Sequence, residues 1–80
     1  MEKQILYNPL NTAEKIKYRA KTQNVIIKDM LVELELGSNT MSNMRHGRAI
    51  ASDSLARIAD YLDCSIDYLM GRTDNPDINR

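Results

Sequence analysis

The chain has one cysteine, Cys64, and one histidine, His46. A lone cysteine excludes an internal disulfide and fits a reducing cytosol. The two together are too few for a closed zinc site of Cys and His ligands within one chain. No apolar run approaches the roughly 18 residues of a membrane span, and no signal-peptide pattern opens the sequence, so a cytoplasmic location is expected. No glycine-rich loop is present to cradle a phosphate. Catalysis lacks its parts: Cys64 and His46 are separated by a whole expected helix, and no set of nucleophile, base and orienting group can be assembled. Asp60, Asp63 and Asp67 lack the alternating oxygen pattern of a calcium loop and read as a solvated acidic face. No enzymatic activity, no metal and no cofactor are expected.

Net charge is also absent: eleven Lys and Arg balance eleven Asp and Glu. The balance hides a gradient. Residues 12–50 hold seven cations and four acids, net +3, and residues 51–80 hold three cations and six acids, net −3. A polyanion is drawn to the first part and repelled by the second. Eighty residues suffice for one small domain with one modest core. A net stability of about 4–10 kcal/mol is expected.

Periodicity predicts helices and no strands. Residues 1–11 read as a leader, either frayed or in contact with a second copy. Within it Gln4 to Tyr7 suit an extended segment, and Asn8-Pro9 suits a turn. Helix one is predicted from Thr12, capped by Asn11 with Glu14 at capping-box spacing. Ala13, Ile16 and Ala20 form its inner face, Lys15, Lys17, Arg19 and Lys21 lie mostly outside, and Gln23-Asn24 ends it. Helix two spans about Ile27 to Leu34, with Ile27, Met30, Leu31 and Leu34 at the i, i+3, i+4, i+7 spacing of a buried stripe. Leu36-Gly37 is the turn. Helix three covers about Ser38 to Arg45, with Met41 and Met44 inward, and Gly47 supplies the positive φ that closes it. Helix four runs from about Ser52, its expected cap, to Leu62, with Asp53 at its positive end and Leu55, Ile58, Ala59 and Leu62 inside. Helix five runs from Ser65, also a cap, to Met70, with Ile66 and Leu69 inward and Gly71 at its end. Residues 73–80 read as a polar tail. Met30, Met41 and Met44 are core fillers. No cation flanks Cys64 to activate it, so it reads as a small buried hydrophobe. Tyr61 and Tyr68 suit the core rim or an interface between copies.

The segment from Leu36 to Arg48 contains no acidic residue. Short amides and hydroxyls alternate there with methionines at helical spacing, and cations follow. A helix that reads the major groove needs this arrangement: apolar residues toward its own domain, short hydrogen-bonding side chains toward base edges. Asn39 and Asn43, four apart, share a helix face. Ser38 is equally suited to capping the helix or to touching DNA. Solvated surface amides and cations are the plain alternative for the group.

Two runs carry a resemblance: Leu34 to Gly47, and Leu55 to Pro76 with its close Asp63-Cys64-Ser65-Ile66-Asp67-Tyr68-Leu69-Met70-Gly71-Arg72. Together, in order and at this spacing, they resemble the lambda-repressor-like, Xre-family helix-turn-helix domain over about residues 12–75. The second run is similar to the close of many phage and mobile-element repressors. The resemblance implies a compact all-α, five-helix fold for residues 12–72. It implies a sequence-specific DNA-binding transcription regulator, repressor or Cro-like, acting as a homodimer on a palindromic operator. By position, Ser38, Asn39, Ser42 and Asn43 fall at base-reading places. Lys28, Thr40, Arg45, His46 and Arg48 fall where backbone contacts occur.

The chain departs from the family pattern in three places. Ile26 stands where a Ser or Thr often caps helix two, a loss of about 1 kcal/mol. Glu35 stands where glycine is usual, so a left-handed conformation there costs about 1–2 kcal/mol. Ile27 stands where a phosphate-binding Gln is frequent, leaving Lys28 to compensate by charge. With no second domain in view, no cleavage or inducer module is expected, and dimer contacts are expected from the leader, helix five, the tail or the DNA itself, with helix five and the tail favoured. The alternative reading is a protein-interaction module of the same fold, an antitoxin or antirepressor, supported by zero net charge, Ile26, Ile27 and the apolar leader. An antitoxin that both binds DNA and masks a toxin combines the two.

Overall fold

The computed structural model describes residues 8–77. Five helices follow one another: α1 (Pro9–Thr22), α2 (Ile27–Glu33), α3 (Thr40–Arg45), α4 (Ser52–Tyr61) and α5 (Ile66–Leu69). The described residues contain no strand, and the fold is all-α as expected. The expected extended segment over residues 4–7 lies outside the described residues.

One core unites the helices. α1 packs against α3 and α5, and α4 packs against α5. Ile16 of α1, Met30 of α2, Met44 of α3, Ile58 of α4 and Leu69 of α5 are all buried at its centre. Each such side chain contributes about 1.5–3 kcal/mol by leaving water. Cys64 is buried among them, and burial pushes its thiol pKa up. That is the behaviour of a small hydrophobe rather than a reactive thiolate.

Helix starts differ from the sequence expectation in three places. α1 begins at Pro9, with Asn8 as its cap: the Asn8 carboxamide oxygen accepts from the backbone N–H of Leu10 at 3.0 Å and of Asn11 at 3.5 Å. Asn8-Pro9 is therefore a helix start rather than a turn. Proline suits the first helical position because its φ is preset and it has no N–H to strand there. α3 begins at Thr40, so Ser38 and Asn39 belong to the turn before it; Asn39 is the cap position and makes no side-chain capping bond. The Thr40 hydroxyl instead donates to the Gly37 carbonyl at 2.7 Å. α4 is preceded by Ala51 at the cap position, so Ser52 is its first helical residue and caps nothing. Ser65 does cap α5, its hydroxyl accepting from the Tyr68 N–H at 3.0 Å.

All five helices end in the same way. The residue after each C-cap has positive φ: Asn24, Glu35, Gly47, Asp63 and Gly71. The next residue donates back to a carbonyl five earlier: Val25 to Ala20, Leu36 to Leu31, Arg48 to Asn43, Cys64 to Ala59 and Arg72 to Asp67, at 2.8–3.0 Å. This is the Schellman closure, which satisfies carbonyls that the helix itself leaves open. Glycine adopts the conformation freely at 47 and 71. Glu35, with φ 58°, holds the strain that the sequence anticipated.

The facing side chains are corrected at two positions in α5. Ile66 is exposed rather than inward, and Tyr68 is fully in the core rather than at its rim. A four-residue helix turns little more than once, so its register follows the core contacts more than its own periodicity. The stretch after α5 folds back: the Ser65 N–H donates to the Pro76 carbonyl at 2.9 Å, and Lys15 pairs with Asp74 at 3.9 Å.

Candidate nucleic-acid interface

α3 exposes a narrow ridge. Met41 and Met44 are buried and hold the helix to the core, at the i, i+3 spacing that puts both side chains on one inward face. Opposite them, Asn39, Ser42 and His46 are exposed. Two clefts flank the ridge. One, of about 480 Å3, lies between α2 and α3, with Lys28, Ser38 and Arg45 in its lining. The other, of about 200 Å3, is lined by Thr40, Asn43 and Arg48 together with Ala49 and Ala51 at the approach to α4.

The nine sequence-assigned residues thus form one continuous surface with two unequal sides. Ser38 sits with Lys28 and Arg45; Asn43 sits with Thr40 and Arg48. Asn39, Ser42 and His46 lie between them. Asn43 is half-buried at the edge of the smaller cleft, whereas Ser38, Asn39 and Ser42 are exposed. The Ser38 hydroxyl caps nothing, so the structural role offered for it at the sequence level is removed. Asn39 also packs closely over the turn: a Cβ on Gly37 would stand 3.0 Å from its Oδ1.

His46 is half committed. Its Nδ1 lies 2.9 Å from the Ser42 carbonyl. A carbonyl only accepts, so Nδ1 carries the proton and Nε2 is left outward. The bond is a second one to a carbonyl that also accepts the His46 backbone N–H, and it fixes the ring on the ridge.

The surface has a clear sign. Lys28, Arg45 and Arg48 are exposed and join no ion pair among the described residues. Two other cations of the basic half, Lys15 and Arg19, are engaged elsewhere. Lys15 lies 4.9 Å from the Tyr68 ring centroid as well as near Asp74. Arg19 donates to backbone carbonyls at the end of α4. The acids of α2 stay off the ridge: Glu33 accepts from the Tyr61 hydroxyl at 2.9 Å, which also pushes the Tyr61 pKa up. An array of short amides and hydroxyls between unpaired cations suits a duplex, with phosphates at the rims and base edges in the centre.

Two contributors were not legible in the sequence. Arg57 donates from Nη2 to the Leu34 carbonyl and so ties α4 to the turn between α2 and α3. Val32, on α2, is 70% exposed and lines the larger cleft. Its exposure has a partial signal in the helical spacing, which leaves it outside the buried stripe.

No described helix is long and apolar enough to cross a membrane. Comparison with curated proteins and with solved structures found no match. A family profile, described as the Cro/C1-type HTH DNA-binding domain, matches residues 15–75, from the first turns of α1 to beyond α5. That span covers all of the surface just described, and the chain belongs to the Cro/C1-type helix-turn-helix DNA-binding domain family.

Proposed function

We propose that this DNA-binding regulator is a sequence-specific, repressor or Cro-like transcription factor, and that α3 enters the major groove. The observation that carries the reading is the acid-free ridge of Asn39, Ser42 and His46, set between clefts whose only charged lining residues are cations. In this reading Ser38, Asn39, Ser42 and Asn43 address base edges. Lys28, Thr40, Arg45, His46 and Arg48 hold phosphates. A homodimer on a palindromic operator places two such helices about one helical turn, roughly 34 Å, apart.

Selection of bound duplexes from a random DNA pool tests this, with the winning duplex titrated at two salt concentrations. A palindromic winner and a steep salt slope, close to one unit per phosphate contact, are expected. Weak binding without sequence preference would overturn it.

A second reading, a protein-interaction module such as an antitoxin or antirepressor, is favoured by one observation. Ile26 at the head of α2 is 65% exposed and Val32 is 70% exposed. Apolar surface there offers nothing to a phosphate and suits a protein partner.

A further inference from the structure

The cleft between α2 and α3 has a floor unlike the rest of the surface. Ile27, Leu31, Val32, Leu36 and Met41 line it, and its only charged lining residues are Lys28 and Arg45. Val32 is the most exposed large hydrophobic residue of the described chain. No acid enters the cleft, because Glu33 is turned toward Tyr61 on α4, and Asp29 and Glu35 are absent from the lining. Duplex DNA does not account for such a floor. Aliphatic walls give no donor to a phosphate, and covering them with one desolvates charge for no return.

We propose that this cleft seats an amphipathic helix of a protein partner, with apolar residues on its inserted face and carboxylates along its flanks. A groove between two helices accepts the apolar face of a third, and about 480 Å3 holds a few apolar side chains. Charge complementarity sets the partner's sign: Lys28 and Arg45 are without ion pairs among the described residues and face acids on the incoming helix. The proposal gives the protein-partner reading a seat and a chemistry, and it stands or falls apart from the DNA reading. Lys28, Ser38 and Arg45 serve both surfaces, so the acidic helix and a duplex exclude each other.

The test is selection from a displayed library of helix-forming peptides of about 15 residues against the intact chain. Val32→Asp, Val32→Ser and Arg45→Glu serve as controls, and circular dichroism checks that each is folded. The expected winners carry apolar residues at i, i+3 or i+4, and i+7, with Asp or Glu beside them. They lose at least about tenfold in affinity toward Val32→Asp and Arg45→Glu and less toward Val32→Ser. If the DNA reading holds, winners also displace bound duplex. Enrichment of nothing, of basic or neutral helices, or of peptides indifferent to both Val32 variants overturns the proposal. Val32 is not among the proposed DNA contacts and Val32→Ser adds no charge beside Lys28 and Arg45, so Val32→Ser keeps duplex selection if the DNA reading holds. Loss of DNA selection with peptide binding intact sinks that reading alone.

Discussion

The Arg19 side chain closes α4 from across the molecule. Its Nε donates to the Leu62 carbonyl at 3.1 Å and its Nη2 to the Asp63 carbonyl at 2.9 Å. Leu62 is the C-cap of α4, where carbonyls lack helical partners and carry the negative end of the helix dipole. The contact joins α1 to α4.

Replacing Arg19 with Ala is expected to destabilise the fold by about 1–2 kcal/mol, a charged hydrogen-bond pair discounted for partial exposure. Arg19→Lys should recover less than half of this, because an ammonium cannot match the two-point fork. Urea unfolding of the variants checks the order.

Thr12 is fully buried, and its hydroxyl has no hydrogen-bond partner. Thr12→Val keeps the shape and removes the stranded group. A gain of about 1 kcal/mol is expected, since an unsatisfied buried hydroxyl costs about 1–3 kcal/mol and the two β-branched residues have nearly equal helix propensity. A fall in the thermal midpoint would show that the hydroxyl is satisfied in solution.

Glu35 sits at φ 58° after α2. Glu35→Gly releases about 1–2 kcal/mol of strain and gives back about 0.4–1 kcal/mol in unfolded-chain entropy. The net gain is expected to be about 0.5–1 kcal/mol in urea titration with an unchanged slope. Glu35→Val should move the midpoint the other way, because a β-branched side chain fits this conformation worst.

In the proposed DNA complex, Asn43 and Arg48 share a cleft but have different tasks. Asn43→Ala should relax preference at one base pair at a cost of about 1–3 kcal/mol. Arg48→Ala should weaken every duplex alike and lower the salt slope by about one unit. Competition between selected and shuffled duplexes separates the two. Equal losses on both from Asn43→Ala would remove it from base reading.

Much of the fold was legible because periodicity and punctuation agree. The stripe of α4, the Ser65 cap and the glycine closures at 47 and 71 stand as read, and of the α2 stripe Met30 and Leu31 are buried while Ile27 and Leu34 are partly buried at its ends. What was not legible depends on partners distant in sequence. Arg19 reads locally as a solvent cation, but it is anchored by residues more than forty positions later. Asn24 and Asp63 take the left-handed conformation without glycine, because the Schellman bonds repay the strain. Asn11 appeared to be the cap because Asn8-Pro9 suits a turn as well as a helix start; the side-chain bonds of Asn8 decide it. The assigned site residues do meet on one surface, but the chain alone did not reveal that Lys28 and Arg48 lie on opposite sides of α3.

α3 has six residues, under two turns. A peptide so short has no helical state of its own in water. Met41 and Met44, seated in the shared core, are what make it a helix. The reading surface is therefore not a detachable part but a collective property of all five helices. A lesion far away, at Ile16 or Leu69, would thin the population able to bind without altering which duplex is preferred, and a bound duplex would in turn raise the melting temperature of the whole chain.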